Sequence, residues 1–197
     1  MPDYDGRKLN KNGGLAVTKK ILSVFLALVL ILMLVSCSSR KGIMVTLEGN
    51  ADESGGEIFT ADFFYPEDSD IEVTGDEFYP NWKILTSESE NFQLSLSLFE
   101  NNTFDEDKEY TKNDADTYSE FKIDKYDAYG YEAFGGYYIY IHLEELSETS
   151  DRYIIAEVNR ADFSADGLKG AAVYKENSVV QGIVNSLVYN GAVEAED

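Results

Sequence analysis

The sequence has 197 residues, with 37 Asp and Glu against 16 Lys and Arg, a formal net charge of −21. Such an acidic surface is repelled by nucleic acid and by anionic lipid headgroups, so neither is an expected partner. A single cysteine and a single histidine exclude an intrachain disulfide and a histidine-rich zinc site. The sequence contains no G-x-S-x-G, H-E-x-x-H or glycine-rich phosphate loop.

The first predicted element is a hydrophobic segment close to the amino terminus. Residues 21–35 carry no charge, and twelve of these fifteen residues are Ile, Leu, Val or Phe. Lys19 and Lys20 precede the segment directly. A basic region, an apolar region and a small residue before the cleavage point are typical of a secretory signal peptide. Residues 21–39 also approach the length of a membrane span, so an uncleaved transmembrane helix is the alternative.

The segment ends in Leu34-Val35-Ser36-Cys37, which resembles the lipobox of bacterial lipoproteins. The resemblance implies that a diacylglyceryl group is attached to the Cys37 sulfur and that the chain is cleaved between Ser36 and Cys37. Two or more acyl chains give a stable anchor, so the protein is expected on the extracytoplasmic face of a bacterial cell membrane. A lipidated Cys37 leaves no thiol for a Cys–His pair. The alternative is an incidental cysteine in a signal peptide that is cleaved elsewhere.

These features predict four segments: a signal peptide over 1–36, a lipidated cysteine and tether over 37–56, an α+β domain over 57–190 and an acidic tail over 191–197. Within the tether, residues 43–47 alternate weakly and are compatible with a short edge strand or with none. Residues 1–36 hold five of the 16 basic and two of the 37 acidic residues, which leaves a net charge of −24 on residues 37–197. That length suits one domain with its own core.

Strand signals dominate from residue 58 onward. Predicted strands cover residues 58–65, 71–73, 82–86, 92–98, 119–124, 126–134, 137–143 and 153–158. The clearest is 92–98, where strict alternation places Phe92, Leu94, Leu96 and Leu98 on one buried face. The strands after residue 119 predict an antiparallel meander, with residues 144–152 as a hairpin loop.

Helical signals are confined to two places. The polar segment 101–120 predicts a crossover with one short helix over 105–111. Residues 179–188 have a single apolar stripe, with Ser178 and Gln181 as a capping box at the start and Asn190-Gly191 at the stop. The fold class is therefore α+β, an antiparallel sheet of about six to eight strands with a C-terminal amphipathic helix packed on one face.

The order of these elements resembles the PsbP-like domains. The resemblance rests on the strand ending in Tyr65-Pro66, on the strand Lys125-Tyr126-Asp127-Ala128-Tyr129-Gly130-Tyr131, on the long hairpin, and on Ile183-Val184-Asn185-Ser186-Leu187 in the closing helix. It covers about residues 57–190 and concerns the pattern of elements, not a chemical motif. The polar segment 101–120 departs from it, since a helix is usual between the central strands. The resemblance implies binding or assembly in preference to catalysis.

Seven aromatic residues crowd the segment 126–140, and they supply the candidate interaction patch. Alternation puts Ile139, Ile141 and Leu143 inside, and Tyr138, Tyr140 and His142 on the opposite face. These three residues are the candidate patch, because interfaces favour aromatic side chains. The alternative is that the rings only stabilise the sheet by cross-strand stacking.

Neither a catalytic nor a metal-ligating set is expected. Asp105-Glu106-Asp107 and the pair Asp114 and Asp116 suggest at most weak binding of a divalent cation, and otherwise form solvated loop charge. Apart from the lipid on Cys37, no cofactor is expected. The predicted function is a non-catalytic binding or assembly module with an envelope protein as partner; the alternative is a carboxylate-dependent envelope hydrolase.

Overall fold

A computed structural model of the chain describes residues 42–50, 58–76, 78–101, 103–115, 117–162 and 170–193. The predicted signal peptide and lipobox lie outside these ranges, as do the first residues of the tether and the last four residues of the chain. The described part is an α+β fold with two antiparallel sheets, of seven and three strands, and three short helices.

The strands and helices follow one another along the chain with few long connections. The strands are β1 (Ile43–Asn50), β2 (Ile58–Tyr65), β3 (Glu72–Asp76), β4 (Tyr79–Ser87), β5 (Phe92–Asn101), β6 (Tyr118–Ile123), β7 (Tyr126–Ala133), β8 (Gly136–Ser147), β9 (Ser150–Asn159) and β10 (Val188–Val193). The helices are α1 (Phe104–Asp114), α2 (Gly170–Glu176) and α3 (Ser178–Asn185).

The larger sheet has the strand order β3-β4-β5-β9-β8-β7-β6, and every neighbouring pair is antiparallel. Strands β6 to β9 form the predicted meander. The chain leaves β5 in the interior of the sheet and reaches β6 at its far edge through α1. The predicted helix over 105–111 is therefore confirmed, and it extends to Asp114.

The core lies between the inner face of this sheet, the three-stranded sheet β1-β2-β10, and helices α2 and α3. Strand β5 supplies Phe92, Leu94 and Leu96, all fully buried, and Leu98, which is 2% exposed. A one-residue slip in register would move these side chains to the opposite face. The buried alternation predicted for residues 92–98 is confirmed.

Part of the predicted tether belongs to the fold. Residues 43–50 form β1, which pairs with β2 over its whole length, and Leu47 is fully buried. The alternation of 43–47 is weak because Met44, which is 56% exposed, is apolar like the buried Val45 and Leu47 on the other face of the strand. The predicted tail is also shortened, since residues 191–193 belong to β10.

The predicted hairpin loop over 144–152 is wrong. Strand β8 continues to Ser147 and β9 begins at Ser150, so the two strands are joined by a tight turn. The segment is polar and does not alternate, because Glu144 and Arg152 pair across the strands and bind each other at 3.1 Å. Polar side chains that satisfy one another replace the apolar pattern there.

The helix predicted over 179–188 is shorter than expected and does not close the chain. Helix α3 ends at Asn185, and the last described element is strand β10. The apolar stripe is buried as predicted, with Val180 and Ile183 at its centre. The N-cap is Asn177 and not Ser178: the Asn177 side chain accepts the backbone N–H groups of Val179 and Val180 at 2.9 and 3.0 Å.

Within the described ranges, no helix is long and apolar enough to cross a membrane.

Candidate functional site

Aromatic side chains form a continuous row on the face of the seven-stranded sheet that points away from the core. Strand register places Tyr129 beside Tyr140 and Tyr131 beside Tyr138, and Phe99 beside Tyr153. We call this set the outer aromatic face; its members are Tyr118, Tyr129, Tyr131, Tyr138, Tyr140, Tyr153 and Phe99. It extends over five adjacent strands, from β6 to β5.

The rings of the outer aromatic face stack on one another. The rings of Tyr129 and Tyr140 are 4.8 Å apart with planes within 9°, those of Tyr131 and Tyr138 are 5.5 Å apart with planes within 21°, and Tyr153 lies 5.9 Å from Phe99. Such offset stacking contributes about 0.5–1.5 kcal/mol per pair beyond burial. The ring faces are therefore turned toward neighbouring rings, and the solvent meets mostly ring edges and hydroxyl groups.

Helix α1 covers one part of this face and leaves the rest open. Phe104, at the start of the helix, is 5% exposed and its ring packs 5.2 Å from Tyr129, which is fully buried. Tyr131, Tyr138 and Tyr140 are only half-buried. The open part of the face continues onto β9 and β5, where Ile155 is half-buried and Phe99 is exposed.

The phenols of Tyr138 and Tyr140 remain protonated at neutral pH. Burial, followed by the neighbouring carboxylate of Glu157, raises the pKa of Tyr138 to about 12. Burial also raises the pKa of Tyr140 well above its usual range. The Tyr138 hydroxyl donates a hydrogen bond to Glu157 Oε1 at 3.1 Å, which fixes the position of its ring. The surface therefore offers neutral, oriented hydroxyl groups between apolar ring edges.

The structure brings together two of the three residues of the predicted patch. Ile139 and Ile141 are fully buried, so Tyr138, Tyr140 and His142 lie on the opposite face as predicted. Tyr138 and Tyr140 belong to the open part. His142 is half-buried like them, but it lies on the part of the face that α1 covers, since the Phe104 ring of that helix stacks on its imidazole at 4.9 Å. The lipobox residues and Cys37 lie outside the described part of the chain.

Sequence reasoning missed the residues that β9, β5 and β4 contribute. Ile155 and Glu157 share the parity of Tyr153 on β9, and this signal was present in the sequence. The pairing of β9 with β5 could not be seen in the sequence, since the two strands are separated by about fifty residues. Only this pairing places Phe99 beside Tyr153 on the face. Trp82, which is 36% exposed, donates its indole N–H to Ser95 Oγ on the same side of the sheet.

A second feature, the acidic pocket, lies where the first turn of α1 meets the β8–β9 hairpin. Its volume is about 430 Å³, and its carboxylates are Asp105, Asp127, Glu145, Glu148 and Asp151. His142 and Lys108 also line it. The Lys108 ammonium binds Asp105 at 3.1 Å. Lys122 binds Asp127 at 2.8 Å and holds the pKa of that carboxyl below its usual range.

Among the described residues, no group of three or more His, Cys, Asp or Glu side chains could hold a metal ion. The acidic run Asp105-Glu106-Asp107 occupies the first turn of α1, whereas Asp114 lies at the other end of the helix, and Asp116 falls outside the described ranges. The helix thus separates Asp114 from the acidic run of its first turn.

Comparison of the chain with protein-family models, with curated proteins and with solved structures finds no match to any of the three.

Proposed function

We propose that this protein is a lipid-anchored, extracytoplasmic binding or assembly module without catalytic activity, and that the open part of the outer aromatic face is its contact surface. The lipobox supports the anchor at Cys37 and the location on the outside of the cell membrane. The PsbP-like class, supported by the resemblance over about residues 57–190 and by the antiparallel α+β architecture, favours interaction over catalysis. The expected partner is another protein of the cell envelope.

One observation carries this proposal. Tyr131, Tyr138, Tyr140 and Ile155 are half-buried and Phe99 is 38% exposed, side by side on a sheet face that α1 only partly covers. Tyrosine-rich, partly apolar surfaces of this kind mark interaction sites, because they bury much area at a low cost in conformational entropy.

The stacking geometry favours a protein partner over a carbohydrate. Sugar rings bind aromatic side chains through free ring faces. Here Tyr140 lies between Tyr129 at 4.8 Å on β7 and Tyr153 at 6.0 Å on β9, and one face of Tyr138 is opposed by Tyr131 at 5.5 Å. Ring edges and hydroxyl groups remain for contact, and these suit the mixed apolar and hydrogen-bonding surface of a protein.

The acidic pocket keeps the carboxylate-dependent hydrolase as a second candidate. Glycoside cleavage requires a carboxyl group that is protonated near neutral pH. Asp127 has the opposite property, because Lys122 lowers its pKa. Asp105 is bound by the Lys108 ammonium at 3.1 Å. Both carboxylates are thus held by lysines, which favours a binding role for the pocket over acid catalysis.

Site-specific photo-crosslinking in cells tests the contact surface. A benzophenone amino acid replaces Tyr138 on the open face, and a matched variant carries it in place of Tyr110, which is 72% exposed on α1. We expect a crosslinked adduct of defined mass from position 138 and none from position 110. Equal adducts at both positions, or none at 138 with both variants folded, would contradict the proposed contact surface.

A further inference from the structure

The acidic pocket contains a buried carboxylate oxygen without a donor. Asp151 is 6% exposed; its Oδ2 accepts the Phe104 backbone N–H at 2.7 Å, whereas its Oδ1 has no hydrogen-bond partner among the described residues. Among the described residues, the Nε2 atom of His142 likewise has no hydrogen-bond partner. It lies 3.6 Å from Asp151 Oδ2. Buried polar atoms in folded proteins nearly always have a partner, so an unpaired carboxylate oxygen requires an explanation.

We propose that the acidic pocket binds an organic cation, a guanidinium or ammonium group whose N–H donors reach the carboxylate of Asp151. This site is independent of the contact surface proposed above, because it depends on charge in the pocket and not on the outer aromatic face.

The charges of the pocket select a cation. Five carboxylates line it against one ammonium group, that of Lys108. Lys108 already binds Asp105, and Asp127 is bound by Lys122 from outside the pocket. Glu145 and Glu148 are exposed at the rim, on the β8–β9 hairpin. A concave site with carboxylates at its floor and rim concentrates cations and repels anions.

The shape of the pocket selects an organic cation over a metal ion. A volume of about 430 Å³ lies in the range of small-molecule sites and greatly exceeds that of a dehydrated ion. The described residues also offer no group of three metal ligands. A guanidinium or ammonium group needs only one buried carboxylate and a negative rim, because it carries several N–H donors of its own.

The chain's single histidine makes the site directly observable. The sequence contains one histidine, so the imidazole Hε1 proton of His142 gives one isolated resonance in the proton NMR spectrum. The full chain in detergent is titrated with Nα-acetyl-arginine amide, with agmatine, and with Nα-acetyl-citrulline amide, which has a similar shape and no charge. We expect saturable shifts with the first two probes and none with the citrulline derivative. The ratio of the first two affinities distinguishes a side chain of a partner from a free cation.

Asp151→Asn is the decisive variant, since the amide can still accept the Phe104 N–H while it presents a donor to the pocket. We expect it to weaken binding of the arginine probe by about tenfold or more, as for loss of a charge-assisted hydrogen bond. Glu88→Gln, at an exposed turn outside the pocket, is the matched control and should bind as the parent does. If Asp151→Asn fails to fold, the double variant Glu145→Gln/Glu148→Gln at the exposed rim takes its place in the test. We expect it to bind the arginine probe severalfold more weakly than the parent does.

Three results would overturn the proposal. The first is that the citrulline probe shifts the resonance as strongly as the arginine probe. The second is that no probe produces a saturable shift, as expected if a water molecule alone pairs with Asp151. The third is that the folded Asp151→Asn variant, or the rim variant in its place, binds the arginine probe with the affinity of the parent. Crosslinking from position 138 would remain informative in each case, since it tests a different surface.

Discussion

Arg152, on β9, is buried and contacts four other strands, which belong to both sheets. Its guanidinium binds Glu100 at 3.2 Å and Glu144 at 3.1 Å, and it donates to the Tyr189 hydroxyl at 3.2 Å. Its carbon atom Cζ lies 4.1 Å from the centre of the Phe59 ring. A buried guanidinium is tolerated because its donors are matched by acceptors. The contact to Tyr189 and Phe59 ties the three-stranded sheet to the larger one.

Asp70 provides a pH-dependent contact at the surface. The Ser87 hydroxyl donates to Asp70 Oδ1 and the Ser89 backbone N–H donates to Oδ2 at 2.9 Å. These bonds, that of Ser87 first, lower the pKa of Asp70 to about 2, compared with about 3.9 in an unfolded chain. A lowered carboxyl pKa stabilises the fold at pH values above the unfolded pKa, and that stabilisation is lost as the pH falls from about 4 to about 2.

We therefore expect Asp70→Asn to unfold at a lower urea concentration than the parent at pH 6, with a difference that narrows as the pH falls toward 2. Asp68→Asn, an exposed change two residues away, is the control for the loss of one negative charge. Urea denaturation of the three proteins at several pH values checks this. A difference between Asp70→Asn and parent that is independent of pH would contradict the assignment.

At the scale of elements, the β7–β8 hairpin carries an unfavourable residue in its turn. Phe134 and Gly135 have φ angles of 51° and 86°, as a two-residue turn between antiparallel strands requires, and positions of this kind favour Asn-Gly. Phe134 is 103% exposed, so its ring gains nothing from packing to offset the left-handed conformation, which costs a bulky residue roughly 1–2 kcal/mol.

Phe134→Asn should therefore stabilise the domain by about 1 kcal/mol, which corresponds to a rise in melting temperature of about 2–4 °C. Phe134→Ala is the control, because it removes the ring but keeps a side chain that also disfavours positive φ. Thermal unfolding followed by circular dichroism distinguishes them. A lower melting temperature for Phe134→Asn would show that the exposed ring makes a stabilising contact.

The elements that could be predicted are those whose pattern is local. Strand β2 was predicted to the residue, and the buried alternation of β5 followed from its Leu-Ser repeat. The end of the β8–β9 hairpin was missed because polar residues break the apolar alternation there. Glu144 lies opposite Arg152 and Glu145 lies opposite Asp151 across the two strands. Helix α2 was missed because its seven residues are too few to show a helical periodicity.

The same limit applied to the candidate site. Tyr138 and Tyr140 could be placed on the outer face from the alternation of one strand. The packing of α1 over His142 could not be predicted, since it depends on where α1 crosses the sheet. The acidic pocket could not be predicted either, because it combines the first turn of α1 with Asp127 of β7 and Asp151 of β9. Its residues meet only through the crossover from β5 to β6.

At the scale of the whole molecule, the three-stranded sheet is the main departure from the sequence prediction. Its strands come from residues 43–50, 58–65 and 188–193, so both ends of the described chain pair with β2. The pairing of β10 with β2 joins residues more than a hundred positions apart, for example Val188 and Asp62, and leaves no local signal. The described part of the chain begins at residue 42, a few positions along the sequence from Cys37, which is the proposed point of lipid attachment.

That proximity and the net charge of −24 on residues 37–197 act together in the proposed arrangement. We propose that acyl chains on Cys37 hold the domain at the membrane, while its acidic surface is repelled from anionic headgroups. On that proposal the domain stays close to the bilayer without adhering to it, and the outer aromatic face and the acidic pocket are available to partners and cations outside the cytosol.

The mass of the intact chain, purified from the membrane fraction, tests this arrangement most directly. The account predicts a chain that begins at Cys37 and carries a diacylglyceryl group, and a Cys37→Ser variant that retains residues 1–36 and has no lipid. A parent chain that keeps residues 1–36 and an unmodified Cys37 would contradict it.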